Sequence, residues 1–235
     1  MKKILIVSAA ILTSVAVMPL FAAFEAHVIN VTAEIENALF VHPESLRFGT
    51  VFPQEYLKSS FFIAFSESFS RDDQRRVGTV EYVIKQKPKP REDTPEERTW
   101  CHDNEPENIG DPNDPYYDRC YPLLCAYLSK EPDGTPEPGN DTGVPPFHDP
   151  NDPSSWAIGK LVKFDENGNT IGNDPADTWT VDLAVPCFEG HCAQDWADFV
   201  HSHNPDADPN LYKLPNGLEH EVFGCDLWVE VTSIH

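Results

Sequence analysis

The sequence predicts an all-β fold, an antiparallel β-sandwich, and three observations carry that reading. Short stretches of alternating apolar and polar residues recur along the chain, separated by turn-rich segments. Twenty-two prolines oppose long helices, because proline removes a backbone donor and clashes with the preceding turn. Six cysteines, an even number, suit a disulfide-stapled exported domain.

The first element is a leader. Lys2 and Lys3 precede an apolar run from Ile4 to Val17, then Met18-Pro19-Leu20-Phe21 and the small pair Ala22-Ala23. A basic start, an apolar middle and a small-residue exit predict a signal peptide over residues 1–23. The run approaches the ~20 residues a bilayer span needs, but Ser8, Thr13, Ser14 and Pro19 favour cleavage over retention. Membrane contact is then confined to the uncleaved leader. Residues 24–235 are expected to form one domain, secreted or held at the cell surface.

The next element follows without a linker. From His27 to Leu39, Ile29, Val31, Ala33, Ile35 and Leu39 share one parity, while Asn30, Thr32, Glu34 and Glu36 share the other. That alternation predicts a strand with one buried face, placed close to the mature N-terminus. A second strand is expected over Leu46–Phe52 and a third over Phe61–Phe69, with Phe61, Ile63, Phe65 and Phe69 inward. Val80, Tyr82 and Ile84 mark a fourth.

Residues 91–155 change character, with many prolines, few aliphatics and Cys101, Cys120 and Cys125. The stretch exceeds the ~15 residues usual for a structureless loop. It is expected to be an insertion stapled by disulfides rather than by a core. Lys160–Gly172 predicts a hairpin around Asn167-Gly168. Thr178–Val185 predicts a strand with Trp179, Val181, Leu183 and Val185 inward, and Ala193–Val200 one short helix before Asn204-Pro205. The last strand, Glu221–Ile234, carries apolar groups on both faces, which predicts a central or covered position.

Charge bounds the partners. Thirty-nine acidic against 17 basic residues give −22, a surface that repels phosphate backbones and argues against nucleic acid. Cys187, Cys192 and Cys225 complete the cysteine set, whose connectivity the sequence leaves open. A local Cys187–Cys192 closure is favoured by Gly190, and a zinc site on Cys187, His191 and Cys192 fits the usual ligand spacings poorly. Asp-Pro occurs six times, at Asp111, Asp114, Asp149, Asp152, Asp174 and Asp208. Aspartate caps local turns and proline fixes the next φ, so the motif is turn chemistry first and a calcium cluster second. Residues 165–176 do not fit an EF-hand, since the glycine is misplaced and no closing glutamate follows. His201 and His203, near Asp195, Asp198 and Asp206, are read as a solvated loop pair before a metal site.

No catalytic signature is found. His220-Glu221 lacks the second histidine of a zinc peptidase helix, and no Gly-x-Ser-x-Gly elbow, phosphate loop or dinucleotide fingerprint occurs.

The start Ala23-Phe24-Glu25-Ala26, the strand that follows it, the turn Gly49-Thr50-Val51-Phe52-Pro53-Gln54-Glu55 and the run Phe61-Phe62-Ile63-Ala64-Phe65 resemble the secreted TasA/camelysin family over roughly the first 90 residues. The ending Cys225–Thr232 also resembles uncharacterised exported bacterial proteins. The family resemblance implies a jelly-roll sandwich at the cell surface, polymerising into matrix fibres by strand exchange. The expected function is therefore a non-enzymatic surface or matrix protein. Its N-terminal strand would enter a neighbour through Phe24, Ile29, Val31 and Ile35, with self-association or other surface proteins as partners. The alternatives are a calcium-stabilised adhesin or carbohydrate-binding module, and a camelysin-like metallopeptidase for which no motif can be carried over. The cysteines and the Pro-rich insertion depart from the family pattern.

Overall fold

The computed structural model describes residues 37–71, 75, 77–133, 141–164, 168 and 174–235. The signal peptide, most of the His27–Leu39 strand, and Phe24, Ile29, Val31 and Ile35 lie outside the described residues. Residues 37–235 form one compact unit.

Among the described residues seven strands form two antiparallel sheets, so the fold is all-β. One sheet has the order β1 (Leu39–His42), β2 (Tyr56–Phe65), β6 (Ala176–Ala184), β4 (Glu131–Pro132). The other has β5 (Ala157–Val162), β3 (Thr79–Lys87), β7 (Asp226–Ile234). Alternation decides which face is inside. Phe61, Ile63 and Phe65 of β2 and Trp179, Val181 and Leu183 of β6 pack against Val80, Tyr82 and Ile84 of β3 and Leu161 of β5. The inward parities expected on β3 and β6 are those observed.

Several boundaries differ from expectation, each for a local reason. Leu46–Phe52 is not a strand. Gly49 takes positive φ within this stretch and Gln54 just beyond it, and Pro53 between them can donate nothing, so no ladder forms. The third expected strand begins earlier, at Tyr56, and ends at Phe65; Phe69 lies instead on α1 (Glu67–Ser70). Of the expected Lys160–Gly172 hairpin, residues 165–167 and 169–172 lie outside the described residues; next to them Val162 and Asp174 exchange both backbone hydrogen bonds, at 2.8 and 2.6 Å. Gly168 there has φ +77°.

The insertion is more ordered than expected, and the described residues contain four short helices rather than one. Thr94 caps α2 (Pro95–Asp103), its hydroxyl accepting the Glu97 amide at 3.2 Å. Asp114 caps α3 (Pro115–Arg119), accepting the Tyr116 amide at 2.9 Å. These helices build a second small core of Cys101, Tyr116, Tyr117, Cys120 and Leu218, so disulfides are not the insertion's sole support. The predicted late helix is α4 (Trp196–His203), ended by Asn204.

β7 begins at Asp226, not Glu221, and among the described residues it is an edge strand rather than a central one, with β3 between it and β5. A register shift between Glu81 and Tyr82 also rephases its end. Val231 faces Tyr82 and Ile234 faces Val80, so both belong to the inner face with Leu227 and Val229.

Candidate functional site

The six cysteines close three disulfides, Cys101–Cys120, Cys125–Cys225 and Cys187–Cys192. The short Cys187–Cys192 loop closes as Gly190 predicted, with that glycine at φ +75°. Its counterpart in spacing, Cys120 and Cys125, does not pair with itself. Each partners a residue brought close by folding.

Among the described residues the sandwich leaves a flank open between β1 and β7. β1, four residues long, borders one sheet, and β7, nine residues long, borders the other. Between them lies a groove of about 920 Å³ whose walls include Val41, Phe61 and Val181 from the first sheet and Leu227 and Val229 from the second. Leu46 and Phe48, expected on a strand, line it as coil instead. β7 is also incompletely covered beyond the residues that line the groove. Val80, Tyr82 and Ile84 of β3 are fully buried, yet their cross-strand partners Val231 and Ile234 are 36 % and 48 % exposed. An inward-facing apolar row on an edge strand is half uncovered. The rim is charged, with Arg47, Lys89 and Arg98 beside Glu44, Asp93 and Asp226. Lys89 pairs with Asp226 at 2.6 Å, and Arg98 pairs with Asp93.

A second feature is a carboxylate cluster at the opposite kind of place, a closed sheet end. Asp177 sits near the start of β6, Asp174 just before it, and Asp141 arrives from the insertion. One oxygen of each lies within 4.8 Å of the others. Trp179 Nε1 donates to Tyr82 Oη at 2.8 Å, and Tyr82 Oη donates to the Asp177 carboxylate. Burial pushes the Asp177 carboxyl up to about 8; the Tyr82 hydroxyl opposes this, while the charges of Asp141 and Asp174 add to it. Burial and Asp177 together drive the Tyr82 phenol far above its ordinary range. Three oxygen donors of this kind suit a hard cation, and the pocket of about 190 Å³ beside them adds Asp133 and Thr178. Of the six Asp-Pro aspartates, Asp174 alone joins such a cluster among the described residues.

A third polar group lies within the core. Lys130 is fully buried, and its amine reaches His148 Nε2 at 3.4 Å. Gln86 Nε2 donates to the same nitrogen at 2.6 Å, while His148 Nδ1 donates to the Pro145 carbonyl at 2.7 Å. That arrangement keeps the imidazole neutral. Burial lowers Lys130 to about 7, and burial with the nearby Lys130 charge lowers His148 to about 3. Sequence reasoning missed this trio, since a lysine in a Pro-rich insertion carries no sign of burial. His201 and His203 join no acidic cluster among the described residues. His203 instead packs at a tilt against Tyr56, centroids 4.3 Å apart, and bonds the Phe199 carbonyl.

No protein-family model matches this chain, and no curated protein matches it.

Proposed function

We propose that the chain is an exported, non-enzymatic surface or matrix protein that assembles by donating its N-terminal strand to a second copy. One observation supports this above the rest: the flank between β1 and β7, where a free sheet edge and a half-exposed apolar row lie side by side. An unpaired edge offers main-chain donors and acceptors, and alternate side chains of an added strand fill the adjacent pockets. The 27–39 segment has the matching pattern. Phe24, Ile29, Val31 and Ile35 enter the groove of the neighbour, while Glu34 and Glu36 remain outward toward a rim carrying Arg47, Lys89 and Arg98. The three disulfides suit an oxidising location outside the cytoplasm. The jelly-roll arrangement and the TasA-like assembly implied by resemblance belong to this same reading.

The groove can be tested without touching the donor. Leu227→Asp places a charge on the floor of the groove and leaves the N-terminal segment intact. The expected result is a folded monomer by circular dichroism and sedimentation. Wild-type assembly by a folded Leu227→Asp protein contradicts the proposal.

A second reading, the calcium-stabilised adhesin or carbohydrate-binding sandwich, draws on the cluster of Asp141, Asp174 and Asp177. Calcium that binds the folded chain raises its melting temperature and chelator reverses the gain. A melting temperature indifferent to both removes this reading.

A further inference from the structure

The chain carries −22 overall, yet Lys85-Gln86-Lys87-Pro88-Lys89-Pro90-Arg91 holds four cations and no acid in seven residues. Alternation fixes the face they share. Ile84, Gln86 and Pro90 are buried, so Lys85, Lys87, Lys89 and Arg91 fall on the outer side of the second sheet. Side chains two residues apart on a strand stand ~6.8 Å from each other, which makes a row ~20 Å long. The row stays straight past the end of β3. Pro88 and Pro90 have a fixed φ, while the Lys89 carbonyl accepts the Tyr121 amide at 2.9 Å and the Arg91 amide donates to the Arg119 carbonyl at 2.8 Å.

Aromatic rings hold the cations in place. Lys85 Nζ lies 4.5 Å from the ring centre of Trp156, Lys87 Nζ 3.5 Å from that of Trp228, and the Arg91 guanidinium 4.7 Å from that of Tyr121. Carboxylates already meet three of the four cations. Glu230 reaches Lys85 at 2.8 Å, Asp226 reaches Lys89 at 2.6 Å, and Glu221 reaches Arg91 at 3.6 Å. Among the described residues no carboxylate pairs with Lys87. Glu230 is half exposed, and exposed pairs of this kind are weak. A polymer that offers carboxylates to several cations at once displaces them through its effective concentration.

We propose that this row binds an anionic polysaccharide, a polymer of uronate sugars whose carboxylates pair with Lys85, Lys87, Lys89 and Arg91 while its rings pass beside the exposed part of Trp228. Other polyanions fit less well. A nucleic-acid duplex brings one charge per ~1.7 Å to a molecule that is itself −22, so repulsion acts everywhere off the row. A single strand could follow the row, but it draws affinity from bases stacked on ring faces, and one face of each ring here already carries a cation. A uronate polymer carries one charge per sugar and needs only spaced cations beside apolar surface. Lys85, Lys87 and Arg91 lie outside the groove and outside the Asp141, Asp174 and Asp177 cluster, so the site depends on neither strand donation nor calcium.

The full oxidised chain is titrated by calorimetry, in chelator at low salt, with polygalacturonate, uncharged dextran and single-stranded oligothymidylate. Polygalacturonate is expected to bind and to weaken as salt rises, dextran not to bind, and oligothymidylate to bind more weakly or not at all. Lys85→Gln with Lys87→Gln leaves the groove lining intact and is expected to lose the binding. Lys58→Gln with Lys213→Gln removes the same charge elsewhere and is expected to keep it. Should the first variant misfold, wild-type protein labelled with an amine-reactive ester serves: polygalacturonate shields Lys85 and Lys87 and leaves Lys58 and Lys213 unchanged. The proposal is overturned if folded wild-type protein ignores polygalacturonate, if dextran or oligothymidylate binds as tightly, if Lys85→Gln with Lys87→Gln binds like wild type, or if Lys85 and Lys87 stay unshielded.

Discussion

Tyr82 links the two sheets through one hydroxyl, and its position depends on a residue with no side chain. Gly159 faces it across β5, and a Cβ built there would lie 2.2 Å from the ring. Gly159→Ala is therefore expected to push Tyr82 off Asp177 and Trp179 and to destabilise by about 1–3 kcal/mol, measured by urea denaturation. A neutral effect would show that the ring has room to shift. The buried ionisable groups set opposite pH trends. Asp177 is raised in the folded state, so its contribution is present at acid pH and lost as pH rises toward 8. Asp177→Asn should flatten the fall in urea midpoint between about pH 5 and 8, and an unchanged slope would contradict the assignment. Lys130 is lowered, so its penalty is full at and below about 7 and fades toward its ordinary value. Lys130→Met is expected to stabilise by about 1–4 kcal/mol near pH 6, with the gain shrinking as pH rises from about 7 toward 10. A gain independent of pH would assign the effect to packing alone. At this scale the sequence was partly legible. Alternation placed Tyr82 and Trp179 inward, but the carboxylate cluster beside them draws on two separated segments, Asp141 from one and Asp174 and Asp177 from the other, and only folding brings these together.

The helices and turns follow from local chemistry. Thr94-Pro95-Glu96-Glu97 is a capping signal written in the sequence, with the threonine accepting the Glu97 amide and proline in the first turn. Composition alone, dominated by proline, hid it. The Asp-Pro motif was readable as turn chemistry, and five of six obey that rule at 2.9–3.0 Å. Strand existence was likewise legible in β3 and β6, whereas the place of β7 was not. Apolar residues on both faces suggested a centre, yet Trp228 on the outer face stays 37 % exposed, with the Lys87 amine 3.5 Å and the Arg98 guanidinium 6.0 Å from its ring centre. Two cationic side chains give part of the cover that the pattern attributed to a neighbouring layer. The disulfides should differ in worth according to the loop each closes. Cys125–Cys225 spans 100 residues and Cys187–Cys192 spans 5. Chain-entropy arguments give roughly 4.7 kcal/mol for the first and about 2 kcal/mol for the second. Replacing each pair by alanine and comparing urea midpoints checks the order, and a larger loss from the short loop would reverse it.

For the molecule as a whole, one flank is unfinished. Three sheet borders are short or flanked by other chain segments, but β7 runs nine residues with its inner row half exposed beside a groove of about 920 Å³. Soluble chains seldom leave such a strand edge open, because it templates pairing with another strand. The sequence supplies a candidate occupant in the patterned segment ending at Leu39, and the acidic surface, −22 overall, opposes indiscriminate association. Specific strand addition reconciles these two facts, with the disulfide-tied insertion holding Leu124 and Leu128 as part of the groove wall. The most direct test compares the chain beginning at Phe24 with one lacking Phe24–Val31, under oxidising conditions, by negative-stain microscopy. Strand donation predicts filaments from the first and dispersed, folded monomers from the second; filaments from both would contradict it.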